Sequence, residues 1–420
     1  MVHLPGLMTD TLEHTRREHS PIHAKGSRKE NLFRTSGYYA AYIALGLVAA
    51  SLGPTLPGLA ANTSSSLGQA GLLFTTRSLG FTLGSLYGGR AYDRLPGHRV
   101  MAGVLLLMAA MLALAPVTGL FWLLALIMLV LGVGEATLDV GGNTLLVWLF
   151  RREVGPFMNA MHFFFGAGAF LSPIIVTHVA RLSGDITWAY WTLAALVAPV
   201  ALWLVRVPSP AAPAAAGRDG DGRGRPLLVF LIAAFFFLYV AAEVAFGGWI
   251  FTYATVQQFG GPAFTQATAA YLTSAFWGAL TLGRLLSIPL AARLRPSALL
   301  LGGLAGCLAS LGLVLLWPAS APVLWGAAIG LGLFMAAIFP TTFAFAERRM
   351  PISGRITGLF FVGVGTGAMI VPGLVGWLIE FQGPQALITT LFADLLLGVG
   401  ILVWLLVASS SVKIRAGKLP

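Results

Sequence analysis

Charged residues and cysteine are both scarce in this chain of 420 residues. Asp, Glu, Lys and Arg together make up only 10% of it, whereas a soluble protein needs about 25% charged residues to cover its surface. The single cysteine, Cys307, excludes an intrachain disulfide. The sequence contains no Walker A motif, no zinc-ligand spacing and no catalytic triad, so it predicts neither ATP-driven transport nor an enzyme, and no cofactor.

Hydrophobic residues make up 57% of the chain, and the mean hydropathy is +0.83. Crossing a bilayer takes about 20 mostly apolar residues in a helix. The apolar runs here are continuous and do not alternate with polar residues, which favours helices over a barrel. We predict an all-α membrane protein with twelve transmembrane spans, numbered 1 to 12 and placed at 37–61, 67–89, 98–117, 119–149, 157–181, 186–206, 227–254, 265–290, 297–317, 322–345, 355–380 and 384–408.

The net charge of +11 is explained by orientation and does not indicate a nucleic-acid partner. With twelve spans, the two tails and the even-to-odd loops share one side, and that side receives 23 of the 26 Lys and Arg residues. Basic residues are retained on the cytoplasmic side of membrane proteins. We therefore predict cytoplasmic termini in a plasma membrane, specifically the bacterial inner membrane, with residues 1–36 and 409–420 as tails.

The two halves of the chain resemble each other. Segment 207–226 has the Pro, Ala, Gly and Arg content of a linker, and it separates bundles predicted at 37–206 and 227–408. Residues 81–95 match residues 280–294 at an offset of 199, and the GVG at Gly132 matches the GLG at Gly330. Parallel six-helix repeats with a site between them are typical of secondary transporters with alternating access.

The loop between spans 2 and 3 reads Gly-Arg-Ala-Tyr-Asp-Arg from Gly89, then Gly-His-Arg from Gly97. This pattern resembles the corresponding loop of the major facilitator superfamily. The resemblance implies the twelve-helix fold of two six-helix bundles and a cytoplasmic gate at Asp93, Arg94 and Arg99. The alternative is a loop whose basic residues only set the topology.

Spans 4 and 5, from Gly134 to Leu149 and from Met158 to Ile175, resemble the sodium-dependent glucose transporter branch, which is related to fucose permeases. The fucose permeases carry an acid and an Asn four residues apart in span 4, and Asp139 and Asn143 fit that pair. The resemblance implies a sugar substrate. Span 1 has no acidic residue, unlike fucose permeases, so proton coupling through span 1 is not expected.

Ionisable groups inside a membrane helix are costly and need a function or a partner. Glu135, Asp139 and Asn143 recur every four residues and share one helix face. Two carboxylates one turn apart resist being ionised together, so they can hold a proton or a cation. We predict ion coupling at Asp139 and Glu135, with sodium at Asp139 as one form of it. The alternative is a structural ion pair with Arg77 in span 2.

Substrate binding is predicted on both halves. Asn159 and His162 share a face of span 5, although the histidine could instead bond a neighbouring helix. In the repeat, Asp139, Asn143 and His162 meet Ala337, Thr341 and Phe361, so polar chemistry is concentrated in the first half. The second half adds Tyr239 and Trp249 in span 7 and Trp277 in span 8, where indole rings could stack on a sugar or simply pack in the bundle.

Two further acids lie in the second half. Glu243 is a candidate for ion coupling, or it is neutralised by Arg284, a buried basic partner like Arg77. Asp394 in span 12 is isolated, and no role is assigned to it.

Three functions fit the sequence. The first is cation-coupled symport, with H⁺ or Na⁺, of a sugar or similar neutral polar solute by a monomer in the bilayer. The second is proton-coupled export of lipophilic or cationic compounds, although the Gly-Pro-Gly-Gly signature of antiporters is replaced by Ser-Pro-Ile-Ile from Ser172. The third is a receptor without transport.

Overall fold

The computed structural model describes residues 28–150, 154–210, 226–259, 261–350 and 354–416. Most of the predicted tails and linker lies outside these ranges. The described chain is helical almost throughout. Its helices are α1 (Arg28–Ala49), α2 (Leu52–Asn62), α3 (Leu67–Arg94), α4 (Gly97–Leu114), α5 (Phe121–Phe150), α6 (Val154–Ser183), α7 (Ile186–Arg206), α8 (Pro226–Val256), α9 (Gln266–Arg293), α10 (Pro296–Leu316), α11 (Ala321–Met335), α12 (Ile338–Glu347), α13 (Gly354–Gln382) and α14 (Ala386–Ala416).

These helices match the predicted spans in order and position. By length and composition, ten of the described segments can cross a membrane, and the bent pair α1 and α2 makes an eleventh. The remaining predicted span, span 2, corresponds to α3, which has 28 residues and is therefore about 42 Å long at 1.5 Å per residue. It carries too many polar residues to qualify on composition, so eleven spans rest on composition and the twelfth on length.

Two of the spans are broken. Span 1 bends by 47° between α1 and α2, just before Pro54, and span 10 is interrupted between α11 and α12, just before Pro340. Proline has no N–H and its ring clashes with the carbonyl four residues earlier, which favours a break at each of these positions, whereas α6 and α13 continue through Pro173 and Pro372.

The internal repeat is visible in the packing of the helices. A Cβ on Gly132 of α5 would overlap the backbone oxygen of Arg77 of α3, and a Cβ on Gly332 of α11 would lie 2.5 Å from the backbone oxygen of Phe276 of α9. Both halves therefore use the same backbone contact between their second and fourth spans. By this contact Gly132 corresponds to Gly332. The sequence match of Gly132 with Gly330 is therefore displaced by two residues from the structural correspondence in this span.

The helix ends lie at two faces of the bundle. We call the face formed by residues 95–96, 294–295 and 348–350 the basic end, since it carries Arg295, Arg348 and Arg349, and we call the face formed by residues 63–66, 183–185 and 383–385 the far end. The two halves contact each other through α3 with α13, α6 with α9, and α2 with α8.

Candidate functional site

A cavity of about 840 Å³ lies between the two halves. Its wall extends from Gly53, Phe74 and Gly248 in the middle of the bundle to Pro296 and Arg348 at the basic end. Both halves contribute, with α1, α2, α3, α5 and α6 on one side and α8, α9, α10, α12 and α13 on the other. This is where the repeat of a secondary transporter places its substrate.

A hydrogen-bonded group on the first half faces this cavity. The hydroxyl of Tyr42 in α1 donates to Oδ1 of Asp139 at 2.6 Å, and Nδ2 of Asn143 donates to the same oxygen at 2.9 Å. Asn143 also donates to the Tyr42 hydroxyl at 2.9 Å. The cavity wall includes Asp139 but not Asn143. Because both donors bind Oδ1, Oδ2 is the carboxylate oxygen that remains to bind a proton or a cation.

The polar residues of α6 complete this wall. Asn159 and His162 both line the cavity, and the amide of Asn159 is exposed to it. The His162 ring stands edge-on to Tyr42, with centroids 5.6 Å apart and an interplanar angle of 85°. The structure thus brings the two predicted binding residues of span 5 beside the predicted coupling residue of span 4.

Glu135 has a different environment. Its two oxygens accept from Nη2 and Nε of Arg77, the latter at 2.7 Å. This bidentate pair is the alternative that the sequence left open, and it uses both oxygens of the carboxylate. Both residues line the cavity, but Glu135 itself is only 4% exposed.

On the second half, Glu243 lies between two partners. The Tyr239 hydroxyl donates to its Oε2, and Nη2 of Arg284 lies 3.7 Å from its Oε1. Glu243 and Arg284 line the cavity, whereas Tyr239 lies behind them. Trp277 also lines it, and its Nε1 is buried with no hydrogen-bond acceptor among the described residues.

Aromatic rings dominate the second half of the wall nearer the basic end. Phe339, Phe343 and Phe361 line the cavity, with centroids 5.5 Å apart for Phe339–Phe343 and 6.3 Å for Phe343–Phe361. With the repeat register that the packing sets, Phe339 and Phe343 take the places of Asp139 and Asn143 rather than the predicted Ala337 and Thr341. At these two repeat positions the two halves therefore differ in chemistry, with an acid and an amide on the first half and two phenyl rings on the second.

Trp249 does not line the cavity, contrary to its predicted role in substrate binding. Its side chain is fully buried, and its Nε1 donates to the backbone oxygen of Pro372 at 2.9 Å. The ring packs on Phe74 of the first half at 5.7 Å, and it fills the space beside Gly71 and Gly376. Its position indicates a role in joining the two halves on the far-end side of the cavity.

The far end is closed by polar contacts between the halves. Glu380 of α13 accepts hydrogen bonds from the Ser66 hydroxyl and the Gly68 backbone N–H, both at 2.7 Å, at the start of α3. On the other inter-half interface, the Tyr271 hydroxyl lies 3.2 Å from Nε2 of His178. The cavity therefore reaches the basic end while the described contacts close the far end.

Of the predicted gate residues, Arg94 and Arg99 are exposed at the basic end. The side chain of Asp93 lies outside the described part, so its contacts are not assigned. Asp394 is 7% exposed, and its Oδ2 is buried with no partner among the described residues. It does not line the cavity.

Sequence reasoning missed Tyr42 and Glu380. Tyr42 carries no charge, and its signal is weak: it shares a helix face with Tyr38, four residues earlier, in a span that is otherwise apolar. Glu380 lies at the end of a span, where an acidic residue on the surface is ordinary, and only the arrangement of the two halves brings it to the start of α3.

The family of the chain follows from comparison with known proteins. The family model described as Major Facilitator Superfamily matches residues 38–372. The chain belongs to the major facilitator superfamily. It is therefore an integral membrane transporter and not an enzyme, and transport of small molecules by this superfamily needs no cofactor.

Several relatives carry the name sodium-dependent glucose transporter 1. The Xenopus laevis protein is 31% identical over 78% of this chain and 72% of its own length, and the human protein is 30% identical over 86% and 76%. The Danio rerio protein is 32% identical over 81% of this chain. The chain spans only 63% of the length of this last relative.

Solved structures share the fold. The nucleoside transporter NupG has a TM-score of 0.68 at 17% identity, covering 90% of this chain and 99% of the other. FucP in the outward conformation has a TM-score of 0.61 at 18% identity, covering 89% and 99%. At these identities the likeness concerns the architecture alone.

Proposed function

We propose that this protein is a cation-coupled symporter of a sugar or similar neutral polar solute, working by alternating access as a monomer. The observation that carries the proposal is the Tyr42–Asp139–Asn143 group in the wall of a cavity between two repeats. Its free oxygen, Oδ2 of Asp139, is the site for the coupling ion. The name of the relatives, sodium-dependent glucose transporter 1, supports Na⁺ and glucose as the first pair to test.

The other acids are less suited to coupling. Glu135 is held by Arg77 through both of its oxygens, and Glu243 faces Arg284 and Tyr239. A carboxylate that is already neutralised gains little from binding a further cation. We therefore assign coupling to Asp139, and substrate binding to Asn159, His162 and Trp277 around the same cavity.

The orientation is part of the proposal. If the basic end faces the cytoplasm, as the positive-inside pattern predicts, the described conformation opens inward, toward a bacterial cytoplasm for an inner-membrane protein. Arg94 and Arg99, with Asp93, would then act in the gate that closes this side. Fusions of a reporter that is active only in the periplasm, placed after Leu120 and after Leu95, test the orientation. We expect activity after Leu120 only, and activity after Leu95 only would show the opposite orientation.

The experiment for coupling is uptake of labelled D-glucose by proteoliposomes under a Na⁺ gradient, a proton gradient or neither. We expect accumulation with one of the two gradients. Asp139→Asn should still exchange sugar at equal concentrations but should lose gradient-driven accumulation. Glu243→Gln is the matched control and should remain gradient-dependent. Unchanged accumulation by Asp139→Asn would remove the coupling assignment.

Export of lipophilic cations is the second candidate, and the aromatic wall of Phe339, Phe343 and Phe361 favours it. Efflux of tetraphenylphosphonium from inverted vesicles, with no glucose uptake, would select it over symport.

A further inference from the structure

Arg77 is bound to more than Glu135. Its Nη2 also donates to the backbone oxygen of Val48 at 3.0 Å, and its Nη1 to that of Ala49 at 3.3 Å. Val48 and Ala49 are the last residues of α1. One guanidinium therefore binds a carboxylate of α5 and the C-terminal end of a helix that stops in the middle of the membrane.

The end of α1 needs such a partner. The last carbonyls of a helix lack intrahelical N–H donors and carry the negative end of the helix dipole. Here Leu47 O accepts from the Ser172 hydroxyl at 2.6 Å, and Val48 O accepts from the Ser51 hydroxyl at 2.8 Å. For Ala49 O, the described donor is Arg77. In lipid, a carbonyl without a donor costs several kcal/mol.

The oxygens around this guanidinium form a set suited to a monovalent cation. They comprise the two carboxylate oxygens of Glu135 and the two carbonyl oxygens of Val48 and Ala49. Hard cations prefer oxygen ligands, and interrupted membrane helices use free carbonyls at half-helix ends to hold coupling ions. In this chain the guanidinium of Arg77 occupies the place of the cation among these four oxygens.

The packing of the helices does not explain the charge of Arg77. Gly132 contacts the backbone of Arg77, and Gly332 makes the same contact with Phe276 in the second half. Phe276, at the repeat position of Arg77, thus makes the same backbone contact with an uncharged side chain. What differs is the neighbouring span, because the first half has the broken end of α1 beside it.

We propose that Glu135 and the C-terminal end of α1 form a monovalent-cation site that Arg77 occupies as a tethered cation, fixing the bend between α1 and α2. Beyond the bend, α2 packs on α8, where a Cβ on Gly53 would lie 2.6 Å from the backbone oxygen of Gly248. The site therefore supports the closed far end. It is separate from the coupling site at Asp139.

The test is chemical rescue measured as thermal stability. Purified Arg77→Ala should melt below the wild type, and millimolar guanidinium chloride should raise its melting temperature by several degrees with saturation, because a ligand that binds only the folded state stabilises it. Urea has nearly the same shape without the charge and should not raise it, nor should choline chloride at equal ionic strength. The wild type, whose site is filled, should show no rise.

Two variants control for other sites. Arg284→Ala removes the half-buried arginine of the second half, which contacts Glu243 but no described helix end, and guanidinium should not stabilise it. Arg77→Ala combined with Glu135→Gln should lose the rescue. Equal shifts with urea, equal shifts in Arg284→Ala, or no shift in Arg77→Ala would each overturn the proposal.

If Arg77→Ala does not fold, the pair Arg77→Met with Glu135→Met removes both charges and leaves none buried alone. In this background, the cysteine of Ser51→Cys, at a position that is 2% exposed, should react with maleimide at least tenfold faster than in the wild-type background, because Arg77 no longer joins the end of α1 to α5. The natural Cys307 is fully buried and does not compete. An unchanged rate would overturn the proposal. None of these measurements depends on transport.

Discussion

The hydroxyl of Tyr42 lies 2.6 Å from Oδ1 of Asp139 and donates to it, which joins the first span to the fourth across the wall of the cavity. Span 1 lacks the acidic residue of fucose permeases, and a tyrosine in that span orients the acid of span 4. The carboxylate then presents Oδ2 to the cavity, so the geometry of the proposed ion site depends on Tyr42.

Tyr42→Phe removes this donor but keeps the ring that faces His162. A hydrogen bond to a charged group contributes about 1.5–3 kcal/mol, and 1.4 kcal/mol is tenfold in affinity. Because the carboxylate loses a donor that stabilises its ionised form, we expect it to bind the cation more tightly and the cation concentration for half-maximal uptake to fall about tenfold. Tyr39→Phe is the control, since the Tyr39 ring stacks on Phe164 at 4.8 Å and does not line the cavity. The same change in both variants would contradict the role of Tyr42.

The architecture was predictable because it depends on properties that a sequence carries directly. Apolar runs indicate the spans, and Pro54 and Pro340 indicate the two breaks. Hydropathy identifies α3 least well as a membrane span. Its polar residues are accommodated in contacts with α5 and α13, and a hydropathy pattern does not reveal such contacts.

The site was predictable only in part. Spacing alone placed Glu135, Asp139 and Asn143 on one helix face. It could not show that Glu135 forms an ion pair with Arg77 whereas Asp139 accepts a hydrogen bond from Tyr42. Such pairing depends on how three helices are arranged. The same holds for the two tryptophans, whose sequence contexts are similar but whose positions in the fold differ.

Trp277 and Trp249 make a matched pair for testing that difference. Trp277→Phe replaces the indole ring in the cavity wall by a smaller phenyl ring, and we expect sugar affinity to fall about fivefold, as for the loss of about 1 kcal/mol of ring contact. Trp249→Phe removes the bond to Pro372 O and should leave sugar affinity within about twofold, while lowering thermal stability. Binding calorimetry with D-glucose separates the two results, and the reverse order would contradict the assignment.

The close crossing of α1 and α6 allows a prediction about stability. A Cβ on Gly168 would overlap the backbone oxygen of Ile43, and backbone cannot move aside as a side chain does. Gly168→Ala should therefore destabilise the protein by about 1–3 kcal/mol. Gly302→Ala in α10 meets no atom within 4 Å and should be neutral or more stable, by up to about 1 kcal/mol. Melting curves in one detergent test both, and equal melting temperatures would refute the predicted contact.

At the far end, the carboxylate of Glu380 in the second half binds the start of α3 in the first half. Glu380 accepts from Ser66 and Gly68, where a negative charge is also favoured by the α3 dipole. Glu380→Gln keeps the size but removes the charge, and charge-assisted bonds are roughly twice as strong as neutral ones. We expect the population open at the far end to increase.

Spin labels at the exposed Leu120 and Leu316, one in each half at the far end, measure this population by pulsed electron resonance. Asp185→Asn is the control, because Asp185 accepts from Thr187 N at 3.0 Å and so begins a helix within one half. The hydrogen bonds from Thr187 hold the pKa of Asp185 below its usual value, so this residue is also charged at neutral pH. Glu380→Gln should lengthen the distance distribution while Asp185→Asn leaves it unchanged, since Glu380 joins the two halves and Asp185 does not. Identical distributions in all three proteins would show that the far end is held closed by the apolar contacts of Trp249 and not by Glu380.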